Sequence, residues 1–234
     1  MRVFVDVGAH YGETARLALN PKWAFDQVFS MEPSAICRKR LSCIRDRRLT
    51  IVPAALSNRN GTGTLHGSGL LGGSLYADKR QHQQLEAETV KLLRATEWLR
   101  ENVSEGSEIW LKMNCEGGEA DILEDLLDSG ELWRIHRIWI DFDIVKVPSQ
   151  ASRQEAIERR LKGIAYSVAS RFEGGVEAWL ERFCPQVQPS FRERLAYSFP
   201  DSPYDAGVAL LGSVLPRRAF WWLGHRYGRL KASR

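Results

Sequence analysis

Val3-Phe4-Val5-Asp6-Val7-Gly8-Ala9-His10-Tyr11-Gly12, with Glu32-Pro33 further along, carries the most structural information in the chain. The apolar, β-branched run Val3 to Val7 predicts a buried strand, and the glycines after it predict a tight turn that opens a helix. Glu32 closes the next apolar run, about twenty residues past the turn, the offset at which nucleotide-containing ligands are held against a strand-turn-helix unit. Glycine lets the backbone approach such a ligand without a Cβ in the way. The carboxylate can accept hydrogen bonds from both ribose hydroxyls.

Outward from this unit the alternation continues. Glu13 to Leu19 reads as the first helix, ended by Asn20-Pro21. Gln27 to Met31 is a second strand, Ser34 to Ile44 a helix capped by Ser34, and Leu49 to Pro53 a third strand. Asn58 to Gly73, rich in Gly, Asn, Ser and Thr, predicts loops or a hairpin around Gly63 to His66, able to close over a ligand. Glu86 to Asn102 is helix-like, although Thr89, Val90 and Thr96 leave room for a short strand. Glu108 to Met113 is a fourth strand and Ala120 to Leu127 a helix. Ile135 to Asp141 is a fifth strand, Ser152 to Lys162 a helix, Ile164 to Phe172 a sixth strand, and Ala206 to Leu211 a seventh. Gly174 to Tyr204 reads as irregular. Such alternation predicts an α/β fold, a mostly parallel sheet with helices on both faces, whose ligands sit at the carboxyl ends of the strands. Those ends are Asp6 to Gly12, Glu32, Ala54-Ala55 and Asn114 to Glu119.

At 234 residues, with no linker-like break, the chain is expected to be a single domain over 1–234: a cofactor-binding core over 1–145, then C-terminal strands, a substrate-side insertion and a basic aromatic tail over 146–234. No apolar run approaches a membrane span and no signal segment is evident, so a soluble, cytoplasmic protein is expected. Cys37, Cys43, Cys115 and Cys184 lack metal-ligand or disulfide-framework spacing, so no metal site is expected. The net charge of +4 is too mild to announce a nucleic-acid protein. The final stretch, Leu215 to Arg234, has no acid and interleaves Arg217, Arg218, Arg226, Arg229, Lys231 and Arg234 with Phe220, Trp221, Trp222 and Tyr227. It reads as a terminal amphipathic helix, either docked on the core or serving a peripheral membrane, dimer or anionic-substrate contact.

Asp6 stands where the dinucleotide pattern GxGxxG has its first glycine, and a carboxylate there repels a pyrophosphate. S-adenosylmethionine, with its sulfonium and ammonium and no phosphate, suits the site better. The second constellation is Lys112-Met113-Asn114-Cys115-Glu116-Gly117-Gly118-Glu119. Glu116 and Glu119 either favour the helix dipole with Lys112 as ion-pair partner, or form part of a functional turn, which the paired glycines favour. Lys112 either orients an acceptor or pairs with a carboxylate. Asp141 and Asp143 either bind substrate hydroxyls or are simply solvated. Trp179 to Tyr204, with Phe183, Phe191, Tyr197 and Phe199, reads as a substrate wall or as core.

The order VFVDVGAHYGETARLAL, VFSMEPSAICRKRL, IVPAALSNRNGTGTL, the Gly-Ser-Leu step at Gly73 to Leu75, and WLKMNCEGGEADIL resembles the FkbM family of S-adenosylmethionine-dependent methyltransferases, over about Val3 to Asp141. The family's Lys-x-Asp-x-Glu-Gly-x-Glu signature is matched by Lys112, Asn114, Glu116, Gly117 and Glu119. The resemblance implies the Rossmann-like class I methyltransferase fold, a seven-stranded sheet parallel except for its last hairpin strand. It further implies that Gly8, Ala9 and Gly12 line the methionine part of the cofactor, that Glu32 holds the ribose, that Ala54, Ala55 and Leu56 lie against the adenine, and that Ser74 lies near the cofactor. Asp6, His10, Tyr11, Thr14, Pro33 and Asn114 join the expected cofactor-binding set.

The family usually has Asp where this chain has Asn114, and Asn cannot take a proton near neutral pH. The base is therefore expected to be Glu116, then Glu119, then His10, with Lys112 and Asn114 completing the catalytic set. The expected function is O-methylation of a hydroxyl on a sugar, glycan or small metabolite. The alternatives are a cofactor-binding protein without turnover, motivated by Asn114, and a nucleic-acid methyltransferase using the basic tail, which no base-methylating motif supports.

Overall fold

The computed structural model describes residues 1–70, 72–79, 87–171 and 173–190. Six strands form one wholly parallel sheet: β1 (Arg2–Val7), β2 (Gln27–Met31), β3 (Leu49–Val52), β7 (Glu108–Met113), β8 (Ile135–Ile140) and β9 (Tyr166–Val168), in the spatial order β3-β2-β1-β7-β8-β9. A smaller sheet holds β4 (Ala55–Ser57), β5 (Gly61–His66) and β6 (Ala87–Arg94), with β6 central, parallel to β4 and antiparallel to β5. The helices are α1 (Glu13–Ala18), α2 (Ala35–Leu41), α3 (Ala95–Asn102), α4 (Glu119–Asp128), α5 (Arg153–Arg160) and α6 (Gly175–Phe183).

Alternation along the central strands sends side chains to two cores. Val3, Val5 and Val7 join Leu111 and Met113 in the core that takes Trp98 of α3, Leu123 of α4 and Ile157 of α5. Phe4 joins Trp110 and Trp139 in the opposite core, with Ala15 of α1, Leu41 of α2 and Trp179 of α6. A parallel sheet buried on both faces needs near-continuous apolar strands, which these runs provide. The chain order reverses at β1, whose two neighbours are β2 and β7, so the switch-point crevice opens beyond the carboxyl ends of β1, β2 and β7. No helix among the described residues is long and apolar enough to cross a membrane.

The predicted fold class holds, with six parallel strands in the main sheet among the described residues. The expected seventh, Ala206 to Leu211, lies outside the described residues, as do the tail Leu215 to Arg234 and Phe191, Tyr197 and Phe199. The single-domain expectation over 1–234 extends into the same undescribed segment. Three segments differ from expectation. The first half of Glu86 to Asn102 is strand β6, because β4 and β5 flank it and bury Val90 and Leu92. Ile164 to Phe172 supplies only three strand residues before a 3-10 turn over Ala169–Arg171. Gly175–Phe183, read as irregular, is helix α6, which buries Trp179 and Leu180.

Candidate active site

A cleft open to solvent lies at the carboxyl ends of β1, β2 and β7. Its wall brings together Gly8 and His10, Glu32 and Pro33, Ala55 and Leu56, and Asn114 and Glu116. The glycine-rich turn Gly67 to Gly73, with Leu65 and Leu75, completes it. Residues from five segments of the chain thus converge where the alternation of strands predicts a ligand.

The floor is locked by backbone. Gly8 and Ala9 both donate their N–H to Met31 O, at 3.1 and 3.0 Å, which ties the end of β1 to the end of β2, and Asn114 N–H donates to Val7 O at 3.0 Å. A Cβ on Gly8 would overlap the carbonyl oxygen of Asn114, and its φ of +79° is one that glycine adopts freely. The close approach that demands this glycine is therefore made by the protein's own β7 end. Gly12 is likewise demanded by the protein's own packing. A Cβ there would stand 2.6 Å from side-chain carbons of Ile44 and Leu41, so this glycine lets α1 start against α2, and it is not on the cleft wall.

Glu32, 6% exposed, accepts His10 N–H on one carboxylate oxygen at 2.7 Å and Ser34 N–H on the other at 2.8 Å. The two bonds orient the carboxylate and leave each oxygen a further lone pair. Burial pushes its pKa up against these bonds. Two polar atoms on the wall are buried without a partner: Asn114 Oδ1 and His10 Nε2. Buried polar atoms are nearly always paired, so unpaired ones beside a cleft mark where a ligand's groups fit.

The expected site residues separate into those on the wall and those behind it. Asp6, Ala9, Tyr11, Thr14, Ala54 and Ser74 stand behind. The Tyr11 hydroxyl donates to Gly69 O at 3.1 Å, steadying the glycine-rich turn, and Ser74 Oγ donates to Glu116 O at 2.7 Å. Lys112 does not reach the cleft. It pairs with Asp6 and donates to Gly8 O at 2.8 Å, which resolves its two readings in favour of the ion pair. Glu119 is also off the wall: fully buried, it accepts Cys115 N–H and Gly117 N–H at 3.0 Å each and so fastens the turn that carries Glu116. Burial holds its pKa at about 7.

Glu116 is on the wall, in the left-handed region at φ 60°, a conformation a non-glycine residue adopts at a cost of about 1–3 kcal/mol. Its carboxyl bonds Lys79 Nζ, and the same Nζ lies 3.7 Å from Asp143, so two carboxyls gather on one buried ammonium. Burial and the neighbouring Asp143 carboxyl push Glu116 up to about 7. Burial pushes Asp143 up as well, but the bonds with Glu116 and Lys146 outweigh it and hold that carboxyl down. Asp141, half-buried beside them, is raised by burial and by Asp143. Asp143 therefore sits within an ionic cluster rather than free in solvent. Lys79 escaped the sequence reading, because a single lysine in a polar loop gives no sign of partners that lie far along the chain.

The sequence matches the methyltransferase FkbM domain over residues 6–168, from within β1 to the end of β9, which spans the central sheet and the cleft. The chain belongs to the FkbM methyltransferase family. A crystal structure of methyltransferase FkbM from Methylobacillus flagellatus KT is similar at 15% identity and a TM-score of 0.45, covering 69% of this chain and 37% of that one. No curated protein matches the chain. Within the FkbM domain, the signature segment from Lys112 to Glu119 divides its labour: Lys112 and Glu119 hold the floor and the turn, while Asn114 and Glu116 face the cleft.

Proposed function

We propose that this FkbM-family chain binds S-adenosylmethionine in the cleft and methylates a hydroxyl of a sugar, glycan or small metabolite. The observation that carries the reading is Glu32, a carboxylate oriented by two backbone amides at the end of β2, with lone pairs left for a diol. The chain's residues fit the cofactor: Glu32 for the ribose hydroxyls, Ala55 and Leu56 for the flat adenine, and the unpaired Asn114 Oδ1 as an acceptor for the ammonium. When bound, the cofactor supplies an electrophilic methyl group on a sulfonium.

The protein's own part is to position and to take a proton. The locked ends of β1, β2 and β7 fix the cofactor groups, and alignment alone can supply much of the rate of such a displacement. Glu116 is the base that takes the proton of the acceptor hydroxyl, because Asn114 cannot and Glu119 is turned into its own loop. Four free thiols, Cys37, Cys43, Cys115 and Cys184, support a reducing, cytoplasmic setting.

Calorimetry with S-adenosylmethionine and S-adenosylhomocysteine tests this reading. Saturable binding of both is expected, followed by release of S-adenosylhomocysteine when pooled sugars and small alcohols are added. A folded sample that binds neither overturns the reading. Binding with no transfer to any pool favours the second reading, a cofactor-binding protein without turnover, which the amide at Asn114 motivates.

A further inference from the structure

The geometry points to Lys79 and Asp143 as positioning residues that make Glu116 a single proton-accepting unit with them at the acceptor end of the cleft. The inference rests on the methyl-transfer reading above and adds to it two residues outside the signature.

Lys79 is 3% exposed, and a buried ammonium persists only when anions and acceptors surround it. Its Nζ donates to Gly72 O at 3.1 Å and to Glu116, and stands 3.7 Å from Asp143 Oδ2. The loop before it also grips the backbone of the same residue, through Ser74 Oγ on Glu116 O. Glu116 is thus tied to one loop by its side chain and by its carbonyl. Asp143, 2% exposed, holds the other side and is itself held by Lys146 Nζ at 2.5 Å. An ion pair serving stability alone has no reason to stand on a ligand wall, yet Glu116 lines the cleft and its side chain keeps 22% of its exposure.

Two carboxyls gathered on one ammonium lose their protons one after the other and not together. Asp143, flanked by Lys79 and Lys146, is the one that stays charged, so the proton resides on Glu116. From its own turn Glu116 also faces Cys115, while Glu119 and Asp141 each feel the charge of Asp143. Lys79 supplies the counter-charge that keeps Glu116 able to lose its proton near neutrality, where a general base works best. When an acceptor hydroxyl reacts, its O–H bond breaks, the proton goes to the Glu116 carboxylate, and the electron pair left on the acceptor oxygen forms the new bond to the methyl carbon as that carbon's bond to sulfur breaks, the sulfur keeping the pair and leaving as S-adenosylhomocysteine.

The test is a carboxyl infrared titration of the full chain with S-adenosylhomocysteine bound, using Glu116→Gln to identify the Glu116 band. A band titrating near neutral pH is expected in the parent. Asp143→Asn is expected to lower that midpoint by about one unit or more, and Lys79→Met to raise it by about as much, with Lys79→Arg restoring the parent value. Neither Lys79 nor Asp143 lines the cleft, so affinity for S-adenosylhomocysteine should stay within about threefold in these variants. A Glu116 midpoint in the ordinary carboxylate range, or one that moves in neither variant while affinity is retained, overturns the proposal. Failure of the parent to bind S-adenosylhomocysteine overturns the methyl-transfer reading instead.

Discussion

Lys112 Nζ lies 2.9 Å from Asp6 Oδ1, on neighbouring strands that place the two residues directly side by side, with 6% and 0% of their side chains exposed. Two charges that have left water in this way depend on each other, and burial already pushes Asp6 up while Lys112 pulls it back. Lys112→Met leaves a buried carboxylate unpaired and is expected to cost about 3–5 kcal/mol in urea unfolding. Adding Asp6→Asn should recover most of that loss. A double variant as unstable as the single one would mean that the pair is not the source of the effect.

Gly8→Ala forces a side chain onto the Asn114 carbonyl at a φ that disfavours it. Overpacking and left-handed strain together predict a loss of about 3 kcal/mol. Chemical denaturation measures it. The same substitution should weaken binding of S-adenosylhomocysteine, because Gly8 and Asn114 both line the cleft.

Glu32→Ala removes the acceptor of two backbone amides and the expected partner of the ribose. Hydrogen bonds to a charged group are worth about 1.5–3 kcal/mol, so S-adenosylhomocysteine should bind ten- to a hundredfold more weakly by calorimetry. Parent-like affinity in a folded variant would remove Glu32 from the cofactor site.

Glu119 makes stability depend on pH. Its carboxyl, raised by burial from 4.5 to about 7, binds protons more readily in the native state than in the unfolded chain between those values. Its contribution is therefore full below the unfolded pKa and is lost as pH rises through about 7. Glu119→Gln carries no charge and keeps one acceptor, so the decline between about pH 5 and pH 8 should shrink by on the order of 3 kcal/mol. Unfolding at the two pH values checks this, and an unchanged decline would assign the titration to another group.

The central sheet was legible because its strands are short β-branched or apolar runs closed by Gly, Glu or Asn, a pattern that buried parallel strands impose on sequence. The helix over Gly175–Phe183 was legible in principle too: Val176, Trp179, Leu180 and Phe183 follow helical spacing between a glycine pair and Cys184-Pro185. Strand β6 was harder. Glu88, Lys91, Leu92, Leu93 and Arg94 are good helix formers, and only pairing with β4 and β5 makes them extended. In the site, Glu32, Asn114 and Glu116 could be found from their positions at strand ends. The roles of Lys112 and Glu119 could not, since the sequence gives their spacing but not the direction in which a side chain turns. Lys79 meets Glu116 and Asp143 only because the loop after β5 folds over the end of β7.

The locked strand ends divide the cleft into a part that resists change and a part that tolerates it. Backbone bonds join Gly8, Ala9, Met31 and Asn114 into one rigid platform, whereas Leu65, Leu70 and Leu75 reach the wall as side chains from the chain around and after β5. On the proposed reading, a change of acceptor preference is better sought at Leu65, Leu70 and Leu75 than at the platform, where an alteration would disturb cofactor hold and acceptor alignment together.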